Sequence, residues 1–224
     1  MIFNDLRYAL CDLLFYMVIS YYGEGCLKLQ SGDQVILIDP VESTSGLTAP
    51  RFKYDAVLRT LTPFPAPFEY NKEAAPEVLG AGEYDFNDVN VKGFFVAEES
   101  SEKFLKTVYW LEMEGINFCF LGHISQALSP ETMEGLNGID ILVVPAGGEP
   151  FLDQKIAVKL IKQIQPKIAI PTFYKVPGLK RKADDVKKFL EEIEASKVEK
   201  SDKLVIKKKD IEDIKPTKVV VLTI

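Results

Sequence analysis

The chain has 224 residues, 47% apolar and 27% charged, with a formal net charge of −6. This is a globular composition, long enough for one large domain whose core needs no disulfide or metal staple, and its acidic balance of interleaved charges points to no nucleic-acid or membrane partner. There is one histidine, which excludes a zinc centre built from several imidazoles.

In chain order, Phe3, Leu6, Leu10, Leu13, Leu14 and Met17 recur at steps of three and four, so residues 3–15 are expected to form an amphipathic helix. Asp5, Arg7 and Asp12 interrupt the apolar stretch and no small-residue cleavage site follows, unlike a secretory signal. Residues 1–16 are read as a helical extension and 17–224 as the domain proper. The stripe needs cover, from the domain itself or from a second copy of the chain.

Strand patterns follow at 18–22, 26–30 and 34–38, separated by Gly23-Glu24-Gly25 and Ser31-Gly32-Asp33, which is a three-strand meander ended by Asp39-Pro40. Another short strand is expected at 55–60. The alternating prolines of 61–67 then oppose helix and central strand alike. Hairpins are expected at 82–86 with 89–97 around Asn87-Asp88, and at 107–113 with 117–121 around Glu114-Gly115. Ser129-Pro130-Glu131 carries the cap and first-turn proline of a helix running to about 136. Strands at 139–144 and 167–171 alternate with helices at 153–165 and 184–195, and 204–206 and 219–223 close the chain as strands. The charged stretch 197–213 is expected to be a solvated face or loop. Short connections and this order argue for one layered α/β domain.

The three cysteines, Cys11, Cys26 and Cys119, make no CxxC pattern and read as free buried thiols of a cytoplasmic protein. No apolar run reaches the roughly 18 residues of a membrane span.

Tyr22-Gly23-Glu24-Gly25-Cys26 and Val35-Ile36-Leu37-Ile38-Asp39-Pro40 resemble the opening hairpin of the metallo-β-lactamase superfamily. Within it, they are most similar to the branch of L-ascorbate-6-phosphate-lactonase-like, Zn-dependent hydrolases. Similar blocks follow in order: Gly80–Tyr84, Gly115–Gly122, Val143–Gly148 and Pro166–Tyr174. The resemblance spans about residues 17–195. It implies a four-layer αβ/βα sandwich with a metal site at one edge, between the sheets.

The family's Thr-His-x-His-x-Asp-His motif aligns with Thr60–Ala66. Leu61, Pro63 and Ala66 then stand at its histidines and Pro65 at its aspartate. A further family histidine falls at Ala97-Glu98-Glu99, the metal-bridging aspartate at His123, and the last ligand histidine at Phe173. The histidine that often follows the first Tyr-Gly is Glu24. The resemblance therefore implies a scaffold without its metal, hence no cofactor. Pro63-Phe64-Pro65 and Phe173 are expected to fill the vacated cavity with apolar surface.

Three functions remain open from the residues. One is a metal-free, non-catalytic binding or assembly module, with a protein, small-molecule or self partner. The second is a divergent hydrolase using His123 as a general base with Glu24, Glu98 or Cys119. The third is a carboxylate-rich Mn or Mg site made by His123, Glu24, Glu98 and Glu99. His123 equally reads as a hydrogen-bonded histidine at a strand end, and Cys119 as a core thiol. Gly80-x-Gly82 and Gly147-Gly148 read as anion cradles or, more simply, as tight turns. Tyr21, Tyr22, Tyr70, Tyr84, Phe52, Phe64 and Phe68 read as an aromatic recognition surface or as core.

Overall fold

The computed structural model describes residues 16–66, 74–195 and 197–224. The helix expected at 3–15 lies outside the described residues.

Strand β1 (Met17–Tyr21), β2 (Leu27–Ser31) and β3 (Gln34–Ile38) form the expected antiparallel meander, with Ile19 opposite Leu29 and Leu29 opposite Ile36. Their inward residues are buried while Val18, Ser20, Lys28 and Gln30 on the opposite face are only half covered. This is the alternation of an antiparallel sheet covered on one side. β4 (Ala56–Arg59) joins β3 in parallel, and a short β5 (Leu61–Pro63) leaves this sheet to pair with the other. β6 (Glu77–Leu79), which the sequence pattern does not reveal, adds in parallel to β4.

β7 (Gly82–Phe86) and β8 (Val89–Phe95) turn through Asn87 and Asp88, both with positive φ, as a tight two-residue hairpin requires. β9 (Phe104–Met113) and β10 (Ile116–Phe120) turn likewise through Glu114 and Gly115. Helix α1 (Pro130–Gly135) starts at the Ser129 cap, β11 (Ile141–Pro145) follows, then α2 (Gln154–Ile164) capped by Asp153. β12 (Ile168–Thr172) precedes α3 (Val186–Ile193), capped by Asp185. The chain closes with β13 (Val198–Ser201), β14 (Lys203–Ile206), α4 (Lys208–Glu212) and β15 (Lys218–Leu222). The charged stretch 197–213 is largely exposed, as expected of a solvated face, but it is not a loop: β13 pairs with β15, β14, expected at 204–206, pairs with β1, and the short link at Asp202 joins the two sheets. Edge strands this short and polar gain their stability from neighbours rather than from their own pattern.

The sheets have orders β14-β1-β2-β3-β4-β6 and β13-β15-β12-β11-β10-β9-β8-β7, with β5 appended to β9. β11 and β12 are buried at every residue, as strands between two covering layers must be. One apolar cluster runs through both sheets and takes in Ala157, Leu160, Ile161 and Phe189 of α2 and α3. Two sheets packed on this common core, with helices against the second, make the metallo-β-lactamase fold. Among the described residues no helix is long and apolar enough to cross a membrane.

Candidate functional site

The loops that follow β3, β4, β10, β11 and β12 meet around a cavity of about 310 Å³. Its wall includes Glu24, Asp39, Glu42, Arg59, Leu61, His123, Phe151, Phe173 and Arg181.

Asp39 is the first residue past β3 and sits at φ +40, an uncommon backbone for a residue other than glycine. Its carboxylate turns inward, Oδ1 accepting the Thr60 amide at 2.7 Å and Oδ2 the Thr60 hydroxyl at 2.6 Å. The same hydroxyl oxygen lies 2.7 Å from His123 Nδ1. Thr60 has one hydroxyl proton, and the carboxylate takes it. His123 Nδ1 must therefore carry hydrogen and donate to Thr60 Oγ1, which leaves Nε2 as an acceptor. Close approach of the two loops depends on Gly122: a Cβ there would stand 2.2 Å from Thr60. Burial holds the His123 imidazole below its ordinary pKa, against the pull of the Asp39 and Glu24 carboxylates.

Phe173 occupies the loop after β12 at φ +59, its amide donating to the Glu24 carbonyl at 2.8 Å. Its ring is 1% exposed and meets His123 edge-on at 5.0 Å and Phe151 at 4.3 Å between centroids. Gly25 makes room, since a Cβ there would lie 2.6 Å from the Phe173 ring. Arg181 closes the group. It grips Glu24 with two nitrogens at 3.1 and 2.7 Å, donates to the Phe173 carbonyl at 2.7 Å, and lies 4.9 Å from the centre of the Phe151 ring.

Behind His123, Glu99 holds the next turn of the same loop. Its Oε2 accepts the Ser125 amide and hydroxyl at 2.7 and 2.6 Å, its Oε1 the Gln126 amide at 3.0 Å, and Lys106 pairs with it at 2.8 Å. Burial works to raise the Glu99 pKa, but the bonds from Lys106, Ser125 and Gln126 hold it below its ordinary value.

The structure brings together some of the residues expected at this site and disperses others. His123, Glu24, Leu61 and Phe173 line the cavity. Glu98 is exposed on a 3₁₀ turn and Glu99, which faces inward from that turn, is bonded to Ser125 and Gln126; neither is part of the cavity wall. Cys119 is fully buried in β10, where desolvation pushes its thiol up and leaves no thiolate to pair with His123. Cys26 is likewise buried and pushed up to about 12. Pro63, Phe64, Pro65 and Ala66 do not fill the cavity: all four are exposed, Phe64 at 52%. The correction has a local reason, since Leu61–Pro63 pairs with β9 and draws the prolines to the edge of that sheet. The filling comes from Phe173 and Phe151 instead.

Gly80 is a turn residue with its amide bonded to the Tyr109 hydroxyl at 2.8 Å, Gly82 opens β7 opposite Gly93, and Gly147 is pressed against the Phe173 carbonyl. Among the aromatics weighed above, Tyr21 packs on Tyr174 and Tyr22 on Phe52, while Tyr70 and Phe68 lie outside the described residues. Asp39, Thr60, Phe151 and Arg181 escaped the sequence reading. For Asp39 the signal was there: a carboxylate at the end of an apolar strand, at a sheet edge where ligands bind.

A metal does not fit this arrangement. Leu61, Pro63, Pro65, Ala66 and Phe173 offer no donor, Glu24 is engaged by Arg181, and Glu99 by Lys106 and the Ser125 turn. Among the described residues no three of His, Cys, Asp and Glu gather to hold an ion.

The beta-lactamase superfamily domain matches residues 18–173, and the chain belongs to that superfamily. A UPF0173 protein of Pyrococcus abyssi is 24% identical over 185 residues, covering 72% of this chain and 85% of the relative. Among solved structures, a candidate Zn-dependent hydrolase of the metallo-β-lactamase superfamily from Thermotoga maritima superposes with a TM-score of 0.73 at 27% identity, over 92% of this chain and 98% of that one. Igni18, a metallo hydrolase of Ignicoccus hospitalis, superposes at 0.62 with 17% identity, over 93% and 95%. The chain thus shares its fold with these two proteins.

Proposed function

We propose that this chain is a metal-free, non-catalytic member of its superfamily, derived from the lactonase-like branch, which uses the cavity in place of the metal centre to bind a small molecule. One observation carries the reading: Phe173, where the family resemblance implies a ligand histidine, is buried against Phe151 and His123 and is held there by Arg181 and by the Glu24 carbonyl. Packing at that position, locked by a part-buried ion pair, supports binding rather than hydrolysis, because fold alone assigns no chemistry. The second reading, hydrolysis by His123 with Glu24 or Glu98, finds Glu24 neutralised by Arg181 and Glu98 outside the cavity.

Elemental analysis of the purified, dialysed chain tests the proposal. Substoichiometric metal and an unchanged melting temperature on adding zinc or EDTA are expected; about one tightly held ion per chain overturns it. Self-association through the stripe of residues 3–15 belongs to the same proposal. Light scattering with and without residues 1–16 checks it, monomers in both forms refuting it.

A further inference from the structure

The charge balance of the cavity wall specifies what it accepts. Arg181 is neutralised by Glu24 and Arg59 by Glu77, the latter through two nitrogens at 3.2 and 3.1 Å. Asp39 and Glu42 also face the cavity, and among the described residues neither pairs with a lysine or arginine. Two carboxylates without a cation give the space a negative potential, focused by the apolar surface of Leu61, Phe151 and Phe173. His123 adds a hydrogen-bond acceptor: Nδ1 is committed to Thr60, and Nε2 has no partner among the described residues. An anion would meet repulsion and, among the described residues of the wall, no unpaired arginine or lysine, and a neutral apolar molecule would leave Nε2 and Asp39 unanswered.

We infer that the cavity binds a small organic cation, a primary ammonium or amidinium on an apolar body, with an N–H donated to His123 Nε2 and the charge set against Asp39 and Glu42. This rests on the metal-free reading of the site. The aromatic rings seat the apolar body, and a volume of about 310 Å³ limits it to a molecule at the small end of the range for binding pockets.

The single histidine makes the test direct, because its ring nitrogens give one set of signals. Benzylammonium, benzyl alcohol and benzoate have the same ring and differ in charge, and at about pH 7.5 the amine is protonated. Titrated into the ¹⁵N-labelled chain, benzylammonium is expected to move the His123 Nε2 resonance saturably. Benzyl alcohol and benzoate at the same concentrations should not. Glu42→Lys, on an exposed residue, should weaken benzylammonium by about ten-fold or more with the amide spectrum otherwise intact. Equal or tighter binding of benzoate or benzyl alcohol overturns the inference, as does a His123 signal that none of the three moves. Failure of the underlying reading looks different: a His123 resonance that shifts on adding EDTA, in a sample carrying metal, removes both.

Discussion

The loop after β10 is held from two sides by carboxylates that share a task and differ in their completeness. Glu99 has a lysine and three hydrogen bonds from Ser125 and Gln126, so both of its oxygens and its charge are answered. Asp39 has two bonds from Thr60 and no lysine or arginine among the described residues, and it borders open space. A carboxylate answered on every side behaves as a structural clamp, while one answered in part at a cavity wall keeps an attraction for an incoming group. The comparison also shows how the loops around the cavity are cross-linked, by part-buried ion pairs and aromatic contacts.

Four substitutions and one pH experiment would break or sharpen this contrast. Phe173→Ala should have the largest effect, about 3–5 kcal/mol in urea unfolding, because it empties a fully packed aromatic site on the Asp39 side. Glu99→Ala should come next, about 1.5–3 kcal/mol, since it strips part-buried Lys106, Ser125 and Gln126 of a charged partner. If instead it is tolerated within a few tenths of a kcal/mol, the clamp reading is wrong. Thr60→Val keeps the shape but strands His123 Nδ1–H and one Asp39 oxygen, and about 1–3 kcal/mol is expected by the same measurement.

Acidification should separate the two sides. His123 in the folded chain titrates below its ordinary 6.5, so the unfolded chain takes up the proton first and stability falls as pH drops from 6.5 toward the folded value. Glu99 titrates below its ordinary 4.5, so its contribution is present above 4.5 and is lost only as pH falls further. Unfolding free energy measured against pH should show both losses, and His123→Phe should remove the upper one alone. Arg59→Ala, breaking a solvent-facing pair with Glu77, sets the floor at about 1 kcal/mol or less.

Much of the fold was legible because local rules enforce it. Asn87-Asp88 and Glu114-Gly115 tolerate positive φ and so announced two hairpins, and Ser129-Pro130 and the two-sided apolar runs of β11 and β12 announced their elements. The site was legible only in part. Leu61, His123 and Phe173 line the cavity, whereas Glu98 and Glu99 do not: the 3₁₀ turn exposes the first and aims the second at the Ser125 turn, a difference between neighbours that a sequence does not encode. Arg181 sits in a Lys-Arg-Lys run that reads as surface, and its partner Glu24 is 157 residues away. The proline run promised filling by its greasiness, yet pairing with β9 turned it outward.

By itself the sequence determined most of the strand and helix pattern and the two-sheet superfamily scaffold, because these follow from residue type, spacing and turn chemistry. Only the tertiary structure decided which carboxylates are answered and which face open space, and which rings line the cavity. Ion pairing and cavity filling are contacts between loops far apart in the chain, and no local pattern encodes them.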